Sequence, residues 1–335
     1  MTASVGVMLP REVPPGDVVR VARACEAAGF DEVWVVEDCF FTGGVSTAAL
    51  ALAATEHVVV GIGILPAVAR NAAFAAMELA TLAGAFPGRV HAGLGHGVAS
   101  WVEQVGATPA SWLTTLRETT DAVRALLAGE EVRTQGQVVA LDAVRLSFPP
   151  AVVPPLSLGV RGPRSVRLAG ESADGLILAE PTPPAYVASA RARLDEAATG
   201  STRPGDRRLT TYTWALTGAH VTDEERDAVL RERVLGALRD GGIEAHLADL
   251  PEDVRAHLDR VADGSAELSD EALDLLVLRG DDGVRDGVRA RHAAGADSVV
   301  LIPPRVTDGV DVVLADVAAL GEAVLLAGLG RPRPS

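Results

Sequence analysis

The sequence contains no lysine, since all 30 of its basic residues are arginines. Barrel enzymes that form a Schiff base with their substrate place a lysine at a strand end, so the sequence argues against an aldolase of that kind. The only cysteines, Cys25 and Cys39, form neither a paired redox motif nor a zinc motif. The seven histidines do not have a metal-binding spacing such as His-Glu-x-x-His, and we expect no catalytic metal.

Other absences limit where the chain works and what it binds. No run of about 18 apolar residues is present, so we expect no membrane span. The first ten residues lack the charged-then-apolar order of a signal peptide, which favours a cytoplasmic protein. Acidic residues outnumber basic ones by 45 to 30, and the net charge of −15 argues against nucleic acid or an anionic membrane as a partner.

The residues that are abundant point to an α/β fold. Hydrophobic residues make up 48% of the 335 residues and aromatic residues only 4%, a composition that suits packing of strands against helices. Short β-branched segments alternate with segments of helical periodicity along the chain. Eight such alternations predict a closed (β/α)8 barrel, the TIM-barrel fold, rather than two open doubly wound domains. Because no linker or internal repeat interrupts the pattern, we expect one domain over residues 1–335.

The predicted strands are residues 4–9, 32–36, 58–65, 89–94, 156–160, 174–179, 209–216 and 298–302. Asn71 is predicted to cap the helix after the third strand. Two segments depart from the simple alternation. Residues 130–154 contain alternating apolar positions that predict a small surface hairpin, and residues 222–294 predict several helices inserted before the last strand.

The loop after the second predicted strand carries two carboxylates and two phenylalanines. In barrels of this kind the chemistry lies in the loops that follow the strands. Adjacent side chains point to opposite sides, so at most one of Glu37 and Asp38 is expected to point into the barrel mouth. The alternative is that one of them caps a helix and the other is solvated. Phe40 and Phe41 either line a substrate pocket together with Cys39 or anchor the loop in the core.

The fourth predicted strand ends in a glycine-rich segment with Gly93, Gly95 and Gly97 at alternate positions and His96 between the last two. Glycines let a ligand approach the backbone closely, and the exposed amides suit a phosphate. Their spacing is not the dinucleotide-binding fingerprint. A position between two glycines does not suit core packing, so His96 is predicted to contact a ligand or to act as an acid or base near neutral pH.

The fifth predicted strand leads into a segment rich in glycine and arginine, directly before a helix. Its residues are Gly159, Val160, Arg161, Gly162, Pro163 and Arg164. Two arginines beside a helix N-terminus form a candidate anion site, because the amides and the positive end of the helix dipole point outward. The alternative is that both are ordinary surface arginines.

Taken together, these segments resemble the luciferase-like monooxygenase superfamily, whose members are barrels that use flavin or the deazaflavin coenzyme F420. The matching segments are residues 29–34, Glu37-Asp38, Ala69-Arg70-Asn71, residues 93–97 and residues 161–175. The Gly-Pro-Arg sequence after the fifth strand is similar to the branch that contains methylene-tetrahydromethanopterin reductase. This similarity favours F420 over FMN.

The resemblance implies a coenzyme ring in the barrel mouth, with its phosphate at the loops after the fourth and fifth strands. It also implies a non-proline cis peptide, Gly63-Ile64, that supports the ring. Asp38 would then orient the ring or the substrate, and His96 would exchange a proton. Family dehydrogenases often have Asp-His where this chain has Asp38-Cys39, which argues against sugar-phosphate dehydrogenation.

Three functions are consistent with the resemblance. The first is an F420-dependent oxidoreductase that transfers a hydride between the coenzyme and a small organic substrate. The second is an FMN-dependent monooxygenase that receives reduced flavin from a separate reductase. The third is a non-catalytic flavin-binding protein. The family commonly dimerises, so we expect a homodimer.

Overall fold

A computed structural model describes residues 3–201, 205–241 and 243–329. The strands, in chain order, are β1 (Ser4–Met8), β2 (Glu32–Val35), β3 (Val59–Pro66), β4 (Val90–Gly95), β5 (Val132–Gln135), β6 (Ala140–Val144), β7 (Leu156–Gly159), β8 (Gly175–Leu178), β9 (Arg208–Leu216), β10 (Leu278–Arg279) and β11 (Ser298–Ile302). The helices are α1 (Val18–Ala27), α2 (Gly44–Ala54), α3 (Ala72–Ala85), α4 (Ala99–Gln104), α5 (Trp112–Leu127), α6 (Pro163–Ser172), α7 (Pro184–Thr199), α8 (Asp223–Asp240), α9 (Glu244–Leu247), α10 (Glu252–Ala262), α11 (Asp270–Leu276), α12 (Gly280–Ala293) and α13 (Val310–Leu326).

Eight of these strands close into a parallel barrel, as the alternating pattern predicts. Around the barrel the order is β1, β2, β3, β4, β7, β8, β9 and β11, and β11 pairs again with β1. Every pairing in this ring is parallel, so the carboxyl ends of all eight strands lie at one end of the barrel. Residues Gly95 and Gly159 are register partners in β4 and β7, which brings together the two glycine-rich segments.

The core has two layers because successive strand residues point to opposite sides. On β2, Val33 and Val35 pack outward into a large apolar cluster with the surrounding helices, whereas Trp34 points into the barrel. Inside the barrel Trp34 packs with Tyr212 and Ile177. Cys25 on α1 is fully buried in the outer cluster, which confirms its predicted place in the core.

A buried polar network fills the amino-terminal end of the barrel. The Glu32 carboxylate is paired with Arg208 and accepts hydrogen bonds from Trp34 Nε1 at 2.7 Å, Ser298 Oγ at 2.7 Å and Ser4 Oγ at 2.8 Å. Burial would raise the pKa of this carboxyl, but the charge of Arg208 and the hydrogen bonds outweigh burial and lower it. The Glu32 carboxylate therefore stays ionised and fixes the Trp34 indole in the barrel interior.

The two predicted irregularities are present. Strands β5 and β6 form the antiparallel hairpin, and helices α8 to α11 form the insertion before the last barrel strand. The short strand β10, which extends the edge of β9, and the six-residue helix α4 were not predicted. Both are too short to show a hydrophobic period. Within the described ranges no helix is both long and apolar enough to cross a membrane.

Candidate functional site

The predicted site segments meet at the carboxyl end of the barrel. Asp38 follows β2, Ile64 lies near the end of β3, His96 follows β4 and Arg161 follows β7. Since β2, β3, β4 and β7 are successive neighbours in the barrel, these residues occupy adjoining parts of its mouth.

Strand β3 has a backbone bulge at Gly63 and Ile64, at the mouth of the barrel. The Gly63-Ile64 peptide is cis, as the family resemblance implies, and the pairing of β3 with β4 shifts register between Ile62 and Leu65. Gly63 and Ile64 are half-buried, although the residues on either side are buried. The bulge therefore exposes Ile64 at the floor of the barrel mouth.

The glycines of β4 and β7 surround the Ile64 side chain. A Cβ atom at Gly159 would lie 2.4 Å from Ile64 Cγ2, and one at Gly95 would lie 2.8 Å from Ile64 Cγ1. At Gly93 a Cβ would lie 2.3 Å from the carbonyl oxygen of Ile62. These three glycines thus make room for the β3 bulge, whereas the sequence interpretation was that Gly93 and Gly95 open the backbone to a ligand and that Gly159 belongs to an anion site.

Two aromatic side chains support the floor from inside the barrel. The Trp34 and Tyr212 rings meet edge to face with 5.8 Å between centroids. A Cβ atom at Gly63 would lie 2.4 Å from Tyr212 Oη, so glycine at this position leaves space for the phenol. Tyr212 Oη is buried and has no hydrogen-bond partner among the described residues. Its hydrogen-bonding capacity is therefore unused within the described part of the chain.

The two carboxylates after β2 have different surroundings, as expected. Glu37 pairs with both terminal nitrogens of Arg70 at 2.7 and 2.9 Å and accepts the backbone N–H of Gly44 at 2.8 Å, so it caps α2. Asp38 instead binds Arg11 Nη1 at 2.6 Å, which connects the loops after β1 and β2. Glu37 is thus structural, and Asp38 is the carboxylate at the mouth. The predicted cap of α3 is also confirmed, since Asn71 accepts the N–H of Ala73 at 2.8 Å.

The phenylalanines after β2 do not anchor the loop in the core. Phe40 and Phe41 are 67% and 50% exposed. The guanidinium of Arg11 lies 4.9 Å from the Phe41 ring centroid and 6.0 Å from that of Trp101, a cation–π arrangement. Cys39 is partly exposed, and burial together with the charges of Glu37 and Asp38 raises its pKa, so it is not an activated thiolate.

His96 connects the loop after β4 to the start of α6. Its Nε2 lies 3.1 Å from Ser165 Oγ, and its ring meets that of Trp112 edge to face at 6.0 Å. Burial lowers the pKa of His96, so the imidazole is neutral near pH 7. Its Nδ1 is buried without a hydrogen-bond partner among the described residues. A neutral imidazole of this kind can accept a proton but is a poor donor.

The start of α6, where the sequence predicts an anion site, is uncapped. Pro163 is the first helical residue, and no side chain caps the helix N-terminus. Arg161 and Arg164 are both exposed beside it, and the Cβ position of Gly162 has no atom within 4 Å. Gly97, in the loop after β4, has φ +76°, a conformation that favours glycine. At the start of α6 Pro163 has no N–H, and the N–H groups of Ser165 and Val166 donate to the Gly162 carbonyl.

Sequence reasoning missed Glu180, which follows β8. Burial raises the pKa of its carboxyl and the charge of Asp38 raises it further, while the charges of Arg161 and Arg11 act in the opposite direction. In barrels of this kind the chemistry lies in the loops that follow the strands, and Glu180 lies in the loop after β8, so the same rule would have selected it.

Comparisons with known proteins agree with this geometry. The family model described as luciferase-like monooxygenase matches residues 1–298. The chain belongs to this family.

Curated relatives match about half of the chain. A 5,10-methylenetetrahydromethanopterin reductase from Methanolobus tindarius is 31% identical over 169 residues, which cover 50% of this chain and 52% of the relative. An F420-dependent glucose-6-phosphate dehydrogenase from Nakamurella multipartita is 29% identical over 180 residues, 49% of this chain and 52% of the relative. The chain thus aligns with about half the length of each.

The fold comparison extends over nearly the whole chain. The coenzyme F420 dependent tetrahydromethanopterin reductase from Methanopyrus kandleri superposes with a TM-score of 0.79, covering 97% of this chain and 99% of that one. Its sequence identity is 20%, so this similarity establishes the shared barrel fold.

Proposed function

We propose that this chain is an F420-dependent oxidoreductase that transfers a hydride between the coenzyme and a small organic substrate. The observation that carries the proposal is the floor of the mouth, where Ile64 of the β3 bulge packs against Gly159 at the end of β7, the strand that leads into the uncapped start of α6. A planar ring fits on Ile64, and an anionic group fits at the helix N-terminus. Two buried atoms without partners among the described residues, Tyr212 Oη and His96 Nδ1, would gain hydrogen bonds from such a ligand.

The residues of the mouth divide into four groups. Asp38 orients the ring or the substrate, and the neutral His96 accepts a proton or a hydrogen bond. Gly97, Gly162, Pro163, Arg161 and Arg164 hold the phosphate. Ile64 and Gly63 support the ring, and the backbone around them is shaped by Gly93, Gly95, Gly159 and Val160. The substrate side is lined by Cys39, Phe40 and Phe41. The bound deazaflavin supplies the hydride chemistry, and the protein supplies orientation and exclusion of water.

The curated relatives support F420 as the coenzyme, because one is named as an F420-dependent dehydrogenase. The second candidate is an FMN-dependent monooxygenase with a separate reductase, which the name of the matching family model favours. Because Cys39 carries no activated thiolate, it does not replace the histidine that the family places there. We therefore propose a substrate other than a sugar phosphate.

Turnover under two conditions tests the proposal. Without oxygen, a panel of alcohols, aldehydes and imines should include a compound that changes the visible absorption of oxidised or reduced F420 in the presence of the protein. His96→Ala should lower the turnover number by about 100-fold while coenzyme binding is retained. Oxygen consumption with reduced FMN, together with no F420 turnover across the panel, would favour the monooxygenase.

We also propose a homodimer, formed through the outer surfaces of α2 and α3. Between them these helices carry one charged residue, Glu78, in a chain with a net charge of −15. They expose Leu50, Phe74 and Met77. Two copies of an acidic protein repel each other over most of their surfaces, so the uncharged apolar surface is where they can meet.

Phe74→Arg is expected to convert the dimer to a monomer, because the charge would be buried in the interface. The measurement is molar mass by light scattering after size-exclusion chromatography. Phe148→Arg is the matched control, since Phe148 is even more exposed but lies in the segment between β6 and β7. A wild-type monomer, or a Phe74→Arg dimer, would contradict the proposed interface.

The remaining elements of the proposal concern organisation and location. We propose that residues 1–335 form one domain around the barrel and that the protein works in the cytoplasm on a small molecule, not on nucleic acid or a membrane. Both Cys25 and Cys39 are free thiols, which supports a reducing compartment. Cell fractionation checks the location.

A further inference from the structure

We propose that the substrate of this site is an uncharged compound with an aromatic ring, which is held at the barrel mouth by Phe41 and Trp101. This assignment names the substrate class of the proposed function and rests on that function. It comes from four side chains that contact one another, Arg11, Asp38, Phe41 and Trp101, here called the Arg11 cluster.

The Arg11 guanidinium joins loops that follow three different strands of the barrel. Arg11 itself follows β1, and its Nη1 donates to Asp38 Oδ2, in the loop after β2, at 2.6 Å. Its central carbon lies 4.9 Å from the ring centroid of Phe41 and 6.0 Å from that of Trp101, which belongs to α4 after β4. Because β2 and β3 lie between β1 and β4 in the barrel, these contacts pass across the ends of β2 and β3.

Helix α4 is held beside the end of β3 by close packing. A Cβ atom at Gly97 would lie 3.1 Å from Pro66 Cβ and 3.4 Å from Val102 Cγ2. Pro66 is the last residue of β3, and Val102 is the buried residue of α4. Trp101, the neighbour of Val102, is half-buried and points away from this packing toward Arg11. The Arg11 cluster therefore lies at the end of β3, next to the bulge that forms the floor of the mouth.

The surface around the Arg11 cluster is apolar and open. Phe40 and Phe41 are exposed, and so are Val98 and Val105, which flank α4 at its two ends. Aromatic residues make up only 4% of the chain, yet two phenylalanines and Trp101 occur together here. An apolar ligand that covers these side chains would remove apolar surface from water, and an aromatic ring would also stack against them.

The charges on this side of the mouth disfavour an anionic substrate. The connections after β1, β2, β3 and β4 contain two arginines and five carboxylates, which leaves three negative charges in excess. These connections are residues 9–17, 36–43, 67–71 and 96–111. Arg11 is already paired with Asp38 at 2.6 Å and with Glu12 at 3.1 Å. Arg70 is paired with Glu37 at 2.7 Å. An anion would have to displace a carboxylate from Arg11 against this negative charge, whereas an uncharged ring would not.

Two matched probes test the substrate class by binding alone. Acetylnaphthalene is an uncharged aromatic ketone, and acetylnaphthoate is the same molecule with one added carboxylate. Equilibrium dialysis of each probe against the protein, with saturating oxidised F420, gives the two Kd values. Acetylnaphthalene should bind at least about 10-fold more tightly than acetylnaphthoate. Equal binding of the two probes, or tighter binding of acetylnaphthoate, overturns the proposal.

Alanine variants test where the ring binds. Phe41→Ala and Trp101→Ala should each raise the Kd of acetylnaphthalene by about 10-fold, because each removes an aromatic ring that contacts the ligand. Phe148→Ala is the matched control, since Phe148 is 89% exposed but lies between β6 and β7, and it should leave this Kd unchanged. An unchanged Kd in either Phe41→Ala or Trp101→Ala overturns the proposed binding surface.

The charge argument has its own variant. Asp38→Asn should bind acetylnaphthoate about fivefold more tightly than the wild type does, because Arg11 loses one of its carboxylate partners. Adding Arg11→Gln should abolish this gain. A gain that persists without Arg11, or no gain in Asp38→Asn, overturns the role of the ion pair in selecting an uncharged substrate.

Titration of the same samples with F420 separates this proposal from the proposed function. Phe41→Ala and Trp101→Ala should keep the Kd of F420 within about twofold of the wild-type value. Wild-type protein that fails to bind F420 overturns the proposed function and with it the substrate role. Wild-type protein that binds F420 but does not prefer acetylnaphthalene overturns the substrate class alone.

Discussion

Gly93→Ala is expected to destabilise the protein by about 3 kcal/mol, at the upper end of the usual cost of overpacking a core. The new methyl group would lie 2.3 Å from the Ile62 carbonyl oxygen and 2.8 Å from Ile177 Cδ1. The carbonyl belongs to β3, which is paired on both sides, so it cannot move without disturbing the barrel. Urea unfolding followed by tryptophan fluorescence measures the loss.

Two other glycines make the test specific. Gly84→Ala in α3, where no atom lies within 4 Å of the new Cβ, should be neutral or stabilise by up to about 1 kcal/mol. In Gly159→Ala the new Cβ would lie 2.4 Å from Ile64 Cγ2, so the additional substitution Ile64→Ala should restore stability to this variant. The same addition should not restore stability to Gly93→Ala, whose new Cβ meets the Ile62 carbonyl oxygen. Two results would contradict the packing of the β3 bulge. One is wild-type stability in Gly93→Ala, and the other is that Ile64→Ala restores stability equally to Gly93→Ala and to Gly159→Ala.

Glu32→Gln is expected to cost about 3–5 kcal/mol, the usual effect of breaking a buried ion pair. The substitution leaves the Arg208 guanidinium without its carboxylate partner and weakens the hydrogen bonds from Trp34 and Ser298. Asp142→Asn is the matched control, because it breaks an exposed pair with Arg133 on the surface hairpin and should change stability little.

The effect of Glu32→Gln should depend on pH. Burial alone would raise the pKa of Glu32, but Arg208 and the hydrogen bonds lower it, so the folded protein holds the carboxylate more strongly than the unfolded chain does. The stabilisation is therefore fully present above the unfolded pKa of about 4.3 and is lost as the pH falls through the folded value. Unfolding free energies of the wild type and the variant should converge on acidification. A constant difference over that range would contradict the ionised state.

Much of the fold could be predicted because the barrel depends on patterns that the sequence displays directly. Most barrel strands are short apolar segments, and the observed bounds differ from the predicted ones by at most one residue at either end. The separate environments of Glu37 and Asp38 follow from the alternation of side chains along the chain. The cis peptide at Gly63-Ile64 came from the family resemblance, since no local signal marks a non-proline cis bond.

The packing around Ile64 could not be predicted, because it depends on atoms brought together by the closed barrel. Gly93 and Gly159 lie far apart in sequence and were interpreted as a ligand-approach position and as part of an anion site, yet both pack against β3. Glu180 was missed for a related reason. Its pKa is raised first by burial and then by the charge of Asp38, and neither effect is visible before the barrel closes.

Titration of the purified protein with F420 and, separately, with FMN tests the central claim most directly. We predict that F420 binds and that its absorption and fluorescence change on binding, while FMN binds much more weakly. Ile64→Asp should weaken F420 binding, because a charge would replace the apolar floor beneath the ring. Tight binding of FMN with no binding of F420 would contradict the account.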